Sequence, residues 1–328
     1  MAAPRRLVLT AASTEYCRDE LQELPDVEVI ERYDLADDSP EQPLADGLTG
    51  AWAVVAGGER YSPAVLQGAT ALRAIVRWGT GSDAIDLGAA SQAGVAVVTT
   101  PGANADAVAD MALSLMLASL RRLPGLDSAV RTGAWRPPGI TRDLAEATVG
   151  ILGLGAIGRA VARRVRGFRC RVIAVEPHPD RDFCAANGVE LADLDEMLPH
   201  ADVLTVHAPL TEGTRHIIGA DEFALLPAHA VVINTSRGPL IDQHALVAAL
   251  RHGVIAGAGL DVFEEEPLPD DDPLLTLPNV IVSGHASSFT HLAMRRTGAA
   301  VLASVRELLE DRLPAACLNP EAWTENGQ

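Results

Sequence analysis

Short runs of Val, Ile, Leu and Ala recur along the chain, separated by segments whose apolar residues fall three or four positions apart. The first pattern is that of strands buried on both faces, and the second is that of helices laid over them. Early in the chain the runs predict strands over 7–10, 28–31, 53–56, 74–78 and 95–98, with helices over 63–67 and 84–93. A long apolar helix follows over 105–122, with Asn104 as its N-cap. Residues 123–147, rich in Gly, Pro and Arg, read as a connecting arm. A second series then opens, with strands predicted over 149–152, 172–176, 203–207, 230–234, 257–262 and 280–283. A long amphipathic helix closes it over 290–310, while 264–272 and the residues after Pro320 carry no regular pattern. This alternation predicts parallel sheets covered on both faces, in an α/β chain with two doubly wound halves.

The most specific local signal heads the second series, where residues 148–159 read TVGILGLGAIGR. A strand, a glycine turn and an opening helix stand in the context a dinucleotide fingerprint requires. Gly153 permits the tight turn, Gly155 lets the backbone approach a pyrophosphate, and Gly158 lets the helix pack on the strand. Ala156 and Ile157 open the helix, whose free amides and positive dipole end then face the phosphates. Glu176 ends the next strand, where a carboxylate accepts ribose hydroxyls and repels a 2′-phosphate, so the expected cofactor is NAD rather than NADP.

Composition narrows the partners. With 328 residues the chain can build two domains, and its formal net charge of −18 disfavours nucleic acid or an anionic membrane surface. No apolar run approaches the roughly 20 residues of a membrane span, and the start lacks a secretory signal, so a cytoplasmic protein is expected. Every cationic side chain other than histidine is Arg, which excludes lysine Schiff-base or general-base chemistry. Cys17, Cys170, Cys184 and Cys317 stand far apart and read as reduced thiols, and no metal-ligand spacing appears.

Three further motifs stand at predicted strand ends. Arg237, in Asn-Thr-Ser-Arg-Gly-Pro, is held between a strand and a tight turn, a position suited to bidentate capture of a carboxylate or to a surface cap. In Asp261-Val-Phe-Glu-Glu-Glu266-Pro, the acids Glu264 and Glu265 read as a solvated face. His285 follows a strand in a Gly/Ser loop that starts a helix, with His291 as its local competitor.

Together these motifs resemble the D-isomer-specific 2-hydroxyacid dehydrogenases, the family of phosphoglycerate dehydrogenase and glyoxylate/hydroxypyruvate reductase; the likeness runs from about Val76 to His291. It implies a Rossmann NAD-binding domain, 101–291, inserted into a flavodoxin-like substrate-binding domain made of 1–100 and 292–328. It further implies that Arg237 binds the substrate carboxylate and carbonyl, and that His285, followed five residues later by Thr290, donates the proton. Glu266 is then the histidine's partner, orienting the imidazole and favouring its charged form. Asp261 matches a position at the nicotinamide end, and Thr235 and Ser236 lie on the cofactor side of the arginine motif. His207, Pro209 and Thr214 match the loop near the adenosine and pyrophosphate. Trp78, Gly79, Thr80 and Gly81 match the loop whose amides hold the carboxylate, and Asn104 matches the hinge into the crossing helix.

The implied activity is NAD-dependent hydride transfer to or from C2 of a small anionic 2-keto or 2-hydroxy acid, with several arginines suggesting a second phosphoryl or acidic group. Two other readings share the scaffold: an NAD(H)-sensing corepressor-like interaction protein, and phosphite oxidation. Ala84 and Asp110 depart from the family's frequent Asn and Glu, which leaves the substrate open. The resemblance also implies a homodimer, with the arm around 131–138 and Trp135 reaching the partner.

Overall fold

A computed structural model describes residues 3–36, 39–135 and 139–323. They fall into two compact units, one drawn from Met1–Asn104 and Thr290–Gln328, the other from Ala105–Phe289. No described helix is long and apolar enough to cross a membrane.

The first unit is built on five strands: β1 (Arg5–Leu9), β2 (Val27–Glu31), β3 (Ala53–Ala56), β4 (Ala74–Arg77) and β5 (Ala96–Val98). All pair in parallel, in the order β2-β1-β3-β4-β5, the flavodoxin-like order. Along β1, Leu7 and Leu9 enter the core layer on one face and Val8 that on the other, so no position in the strand's centre is free to be polar. The helix His291–Leu309 covers the Leu7/Leu9 face with Val301, Val305 and Leu308. Arg5 donates to the Leu309 carbonyl at 3.1 Å, a cation placed at the negative end of that helix.

The second unit holds seven strands: β6 (Thr148–Leu152), β7 (Arg171–Val175), β8 (Val189–Leu191), β9 (Val203–Val206), β10 (Val231–Asn234), β11 (Gly257–Leu260) and β12 (Val280–Val282). Their order is β12-β11-β10-β9-β6-β7-β8, again all parallel. The strand order reverses between β6 and β9, the crevice where open α/β sheets take their ligands. Val231 and Ile233 feed one core layer and Val232 the other.

The structure corrects the sequence reading at several points. β8 was not expected; it is a three-residue edge strand whose central Glu190 is exposed and paired with Arg171, so it shows no apolar run. The arm over 123–147 contains a helix, Leu123–Arg131, starting after the left-handed Arg122. Its Pro124 sits in the first turn, where a missing N–H costs nothing. The helix over 84–93 shortens to Leu87–Gln92, capped by Asp86, which accepts from Ala89 N–H at 2.8 Å. Asn104 does not cap the long helix Ala105–Leu120, because its buried Oδ1 has no hydrogen-bond partner among the described residues. Past residue 319 the chain forms a turn of 3₁₀ helix, Pro320–Ala322, with Ala322 buried.

Asn319 ties that tail to the sheet. Its Oδ1 accepts from Val97 N–H at 2.7 Å, and its Nδ2 donates to Val95 O and Ser91 Oγ at 2.9 and 3.1 Å. Asn319→Ala would leave buried backbone groups unpaired, and a loss of about 2 kcal/mol in urea unfolding is expected. An unchanged midpoint would show that the tail contributes nothing to the first unit.

Candidate active site

The glycine turn after β6 has the geometry the fingerprint demands. Gly153 has φ +93°, and a Cβ there would lie 2.6 Å from the Ala208 backbone nitrogen. A Cβ on Gly158 would stand 2.1 Å from the Gly153 carbonyl, so helix and turn could not close on each other. At Gly155 the same construction meets nothing within 4 Å, leaving open space beside the start of the helix Ala156–Val165, which Ala156 and Ile157 begin. Glu176 lies over this turn: Oε2 accepts from Leu154 N–H at 2.8 Å and Oε1 from His178 N–H at 3.1 Å.

Across the crevice, His207 and Thr235 each stand one residue beyond the paired Val206 and Asn234 of β9 and β10. His207 is buried, its Nε2 lies 2.9 Å from Thr205 Oγ1, and burial pushes its pKa down to about 3, so the ring is neutral. His207 Nδ1 and Thr235 Oγ1 are buried without a hydrogen-bond partner among the described residues. Orphaned polar atoms at a switch point, beside an open glycine cradle, fit a dinucleotide that would satisfy them. Two other expected cofactor residues spend their hydroxyls locally. Ser236 Oγ donates to Ala208 O at 2.7 Å, and Thr214 Oγ1 donates to Pro209 O at 2.7 Å while accepting from Thr211 N–H.

The ends of β10, β11 and β12 carry the three motif residues. Asn234 shapes the Arg237 turn, accepting from Ser236 N–H at 3.0 Å and donating to Arg237 O at 2.8 Å, while Arg237 itself donates to Ser236 O at 2.7 Å. A Cβ on Gly238 would stand 1.8 Å from Phe263 O, so this turn lies directly on the segment leading to Glu266. Glu266 folds back so that Oε1 accepts from Phe263 N–H at 2.9 Å and Oε2 meets His285 Nδ1 at 2.7 Å. His285 therefore keeps its Nε2 for other work. His291, the competitor, belongs to the first unit and sits 3.2 Å from Tyr16 Oη through Nδ1.

Asp261, expected at the nicotinamide end, braces the histidine loop. Fully buried, it accepts from Ser283 Oγ at 2.6 Å, from the Ala286 and Ser287 amides at 2.9 Å each, and from Ser287 Oγ. Sequence reasoning missed this role, although the small polar residues flanking His285 were its signal: their amides and hydroxyls need one shared acceptor.

In the first unit, the Trp78–Gly81 loop follows β4. Gly79 N–H already bonds Thr100 Oγ1 at 3.0 Å and Arg77 O at 2.9 Å, whereas the Thr80 and Gly81 amides carry no hydrogen bond among the described residues. Trp78 packs into the core under the helix His291–Leu309, with its Nε1 unpartnered.

The family model for the D-isomer specific 2-hydroxyacid dehydrogenase NAD binding domain matches residues 113–287. A glyoxylate reductase of Korarchaeum cryptofilum is 39% identical over 262 residues, covering 78% of this chain and 79% of that protein. The chain belongs to the D-isomer specific 2-hydroxyacid dehydrogenase family. A D-3-phosphoglycerate dehydrogenase of Methanocaldococcus jannaschii is 40% identical over 270 residues, or 81% of this chain, which spans only about half (51%) of that protein's length. Among solved structures, the NADPH-dependent glyoxylate/hydroxypyruvate reductase of Sinorhizobium meliloti with NADP and malonate superposes with a TM-score of 0.86 at 27% identity, covering 100% of each chain.

In this dehydrogenase the Glu266 carboxyl lies below its ordinary range. Burial alone would raise it, but the hydrogen bond to His285, that ring's charge, the Phe263 N–H and the Arg237 charge outweigh burial. A depressed folded pKa contributes stability above the unfolded value of about 4.3 and loses it as pH falls through the folded value. The gap in urea midpoint between the wild type and Glu266→Gln should narrow as pH falls below about 4. A gap that does not narrow as pH falls below about 4 would contradict the pairing.

Proposed function

We propose that the protein reduces small anionic 2-keto acids to D-2-hydroxy acids with NADH. The pairing of Glu266 with His285 Nδ1 at 2.7 Å carries this reading. A carboxylate-buttressed imidazole suits carbonyl chemistry, in which a proton must reach the oxygen of the reduced carbon. Nicotinamide, when bound, supplies the hydride to C2. Gly153, Gly155, Gly158, the amides of Ala156 and Ile157, Glu176, His207 and Thr235 would hold the dinucleotide. Arg237 takes the substrate carboxylate bidentately and steadies negative charge growing on the C2 oxygen. His285 Nε2 gives its proton to the C2 oxygen, and Glu266 fixes the ring's tautomer and stabilises the imidazolium before transfer. In oxidation, His285 takes that proton back.

Support for the substrate class comes from the relatives named above, a glyoxylate reductase and a glyoxylate/hydroxypyruvate reductase. With glyoxylate, hydroxypyruvate and phosphohydroxypyruvate as the panel, NADH consumption is expected with at least one acid, falling about 10²–10⁴-fold in His285→Ala. Turnover that persists in His285→Ala, or NAD reduction with phosphite and none with hydroxy acids, would overturn the reading.

Glu176 supports NAD over NADP, because a carboxylate at the end of β7 opposes a 2′-phosphate. kcat/KM should favour NADH over NADPH by at least about tenfold, and Glu176→Ser should narrow the ratio. Equal use of both by the wild type would contradict it.

A homodimer is also proposed. The helix Leu123–Arg131 buries none of its residues, and Leu123, Val130, Trp135 and Ile140 are exposed around it, Trp135 at 81%. Of the expected arm, residues 136–138 lie outside the described residues. Light scattering should give twice the chain mass, reverting toward one in Trp135→Glu; a wild-type monomer would refute the dimer.

A further inference from the structure

We propose that Gln243 is a positioning residue that fixes the Glu266 carboxylate against His285. The inference rests on the assignment of Glu266 and His285 as the proton-transfer pair. Glu266 lies in an irregular acidic segment, 264–272, with no strand or helix of its own to hold it. Gln243, the first residue of the helix Gln243–Arg251, ties down both ends of that segment.

At the near end, Gln243 Oε1 accepts from Glu264 N–H at 3.1 Å, and Gln243 N–H donates to Glu264 Oε1 at 3.2 Å. At the far end, Gln243 Nε2 donates to Asp272 Oδ2 at 2.8 Å. Asp272 is itself fixed, since its Oδ1 accepts from Leu274 N–H at 2.8 Å at the start of the turn Pro273–Thr276. The helix bearing Gln243 is capped by Asp242, which accepts from Ala245 N–H at 2.8 Å, so the amide projects from a rigid base. His216 adds a second hold on the near end, its Nε2 lying 2.7 Å from Glu264 Oε1.

Only Glu265 separates Glu264 from Glu266, and the Phe263 N–H that anchors Glu266 Oε1 immediately precedes the Glu264 N–H held by Gln243. Slack at Glu264 therefore reaches the carboxylate directly. A side-chain amide accepts from Glu264 N–H through its oxygen and donates to the Asp272 carboxylate through its nitrogen at once. Gln243→Glu keeps the acceptor and the shape but sets a like charge against Asp272, and Asp272→Asn restores a donor–acceptor pair with the roles exchanged.

The test is a double-mutant cycle between Gln243→Glu and Glu266→Gln, read as kcat, keto-acid KM and NADH Kd on the folded enzyme. Gln243→Glu alone should lower kcat about tenfold, with KM and Kd within about twofold of wild type. In the Glu266→Gln background the same change should cost less than about twofold, because nothing is left to position. Gln243→Glu with Asp272→Asn should recover kcat to within about threefold, which also guards against a simple folding defect. Losses that multiply in the double variant, or an effect on KM and Kd with kcat intact, would overturn the inference while leaving the proton-transfer assignment standing. A Glu266→Gln enzyme with wild-type kcat would instead remove that assignment.

Discussion

The buried carboxylate of Asp261 is the group on which the arrangement of reactive residues depends. Removing a carboxylate from water is costly unless its lone pairs are filled. Here Ser283 Oγ, Ser287 Oγ and two successive amides, Ala286 and Ser287, fill them. Its backbone does as much: Asp261 N–H donates to Asn234 O at 2.9 Å, and Asp261 O accepts from His285 N–H at 2.7 Å. One residue thus knits together the ends of β10, β11 and β12. His285 adopts φ +51°, a left-handed conformation that costs a non-glycine residue about 1–2 kcal/mol. That strain persists because the loop on either side of His285 is tied to Asp261.

From this anchor the chemistry follows by adjacency. The Arg237 turn is templated by Asn234 and presses on Phe263 through Gly238, so the cation and the Glu266 segment share one support. Glu266 divides its oxygens between Phe263 N–H and His285 Nδ1, which leaves Nε2 as the nitrogen able to pass a proton. The neighbouring β6–β9 crevice presents the glycine cradle, Glu176 and the neutral His207, features complementary to a dinucleotide's phosphates and ribose.

Much of this was legible in the sequence, for a physical reason. Strands buried on both faces must be almost wholly apolar, so β1, β3, β6, β9 and β10 stood out as runs. The β8 edge strand did not, because an exposed edge tolerates Glu190, and the helix Leu123–Arg131 hid behind a proline allowed only in a first turn. At the site, glycine spacing and strand-end position marked residues that act through backbone geometry or as lone charges. What stayed hidden were braces: Asp261 and Gln243 act through partners 21–29 positions away, and no local pattern encodes such pairings. The committed amide of Gly79 was hidden likewise, since Thr100 lies 21 positions on.

The most direct test of the account is a crystal structure of the protein with NADH and oxamate, a 2-keto acid isostere. The account predicts the oxamate carboxylate on Arg237 and its C2 oxygen within about 2.6–3.2 Å of His285 Nε2, with the His285–Glu266 pair intact. Oxamate bound away from Arg237, or a His285 ring turned off Glu266 with its Nε2 pointing elsewhere, would contradict it.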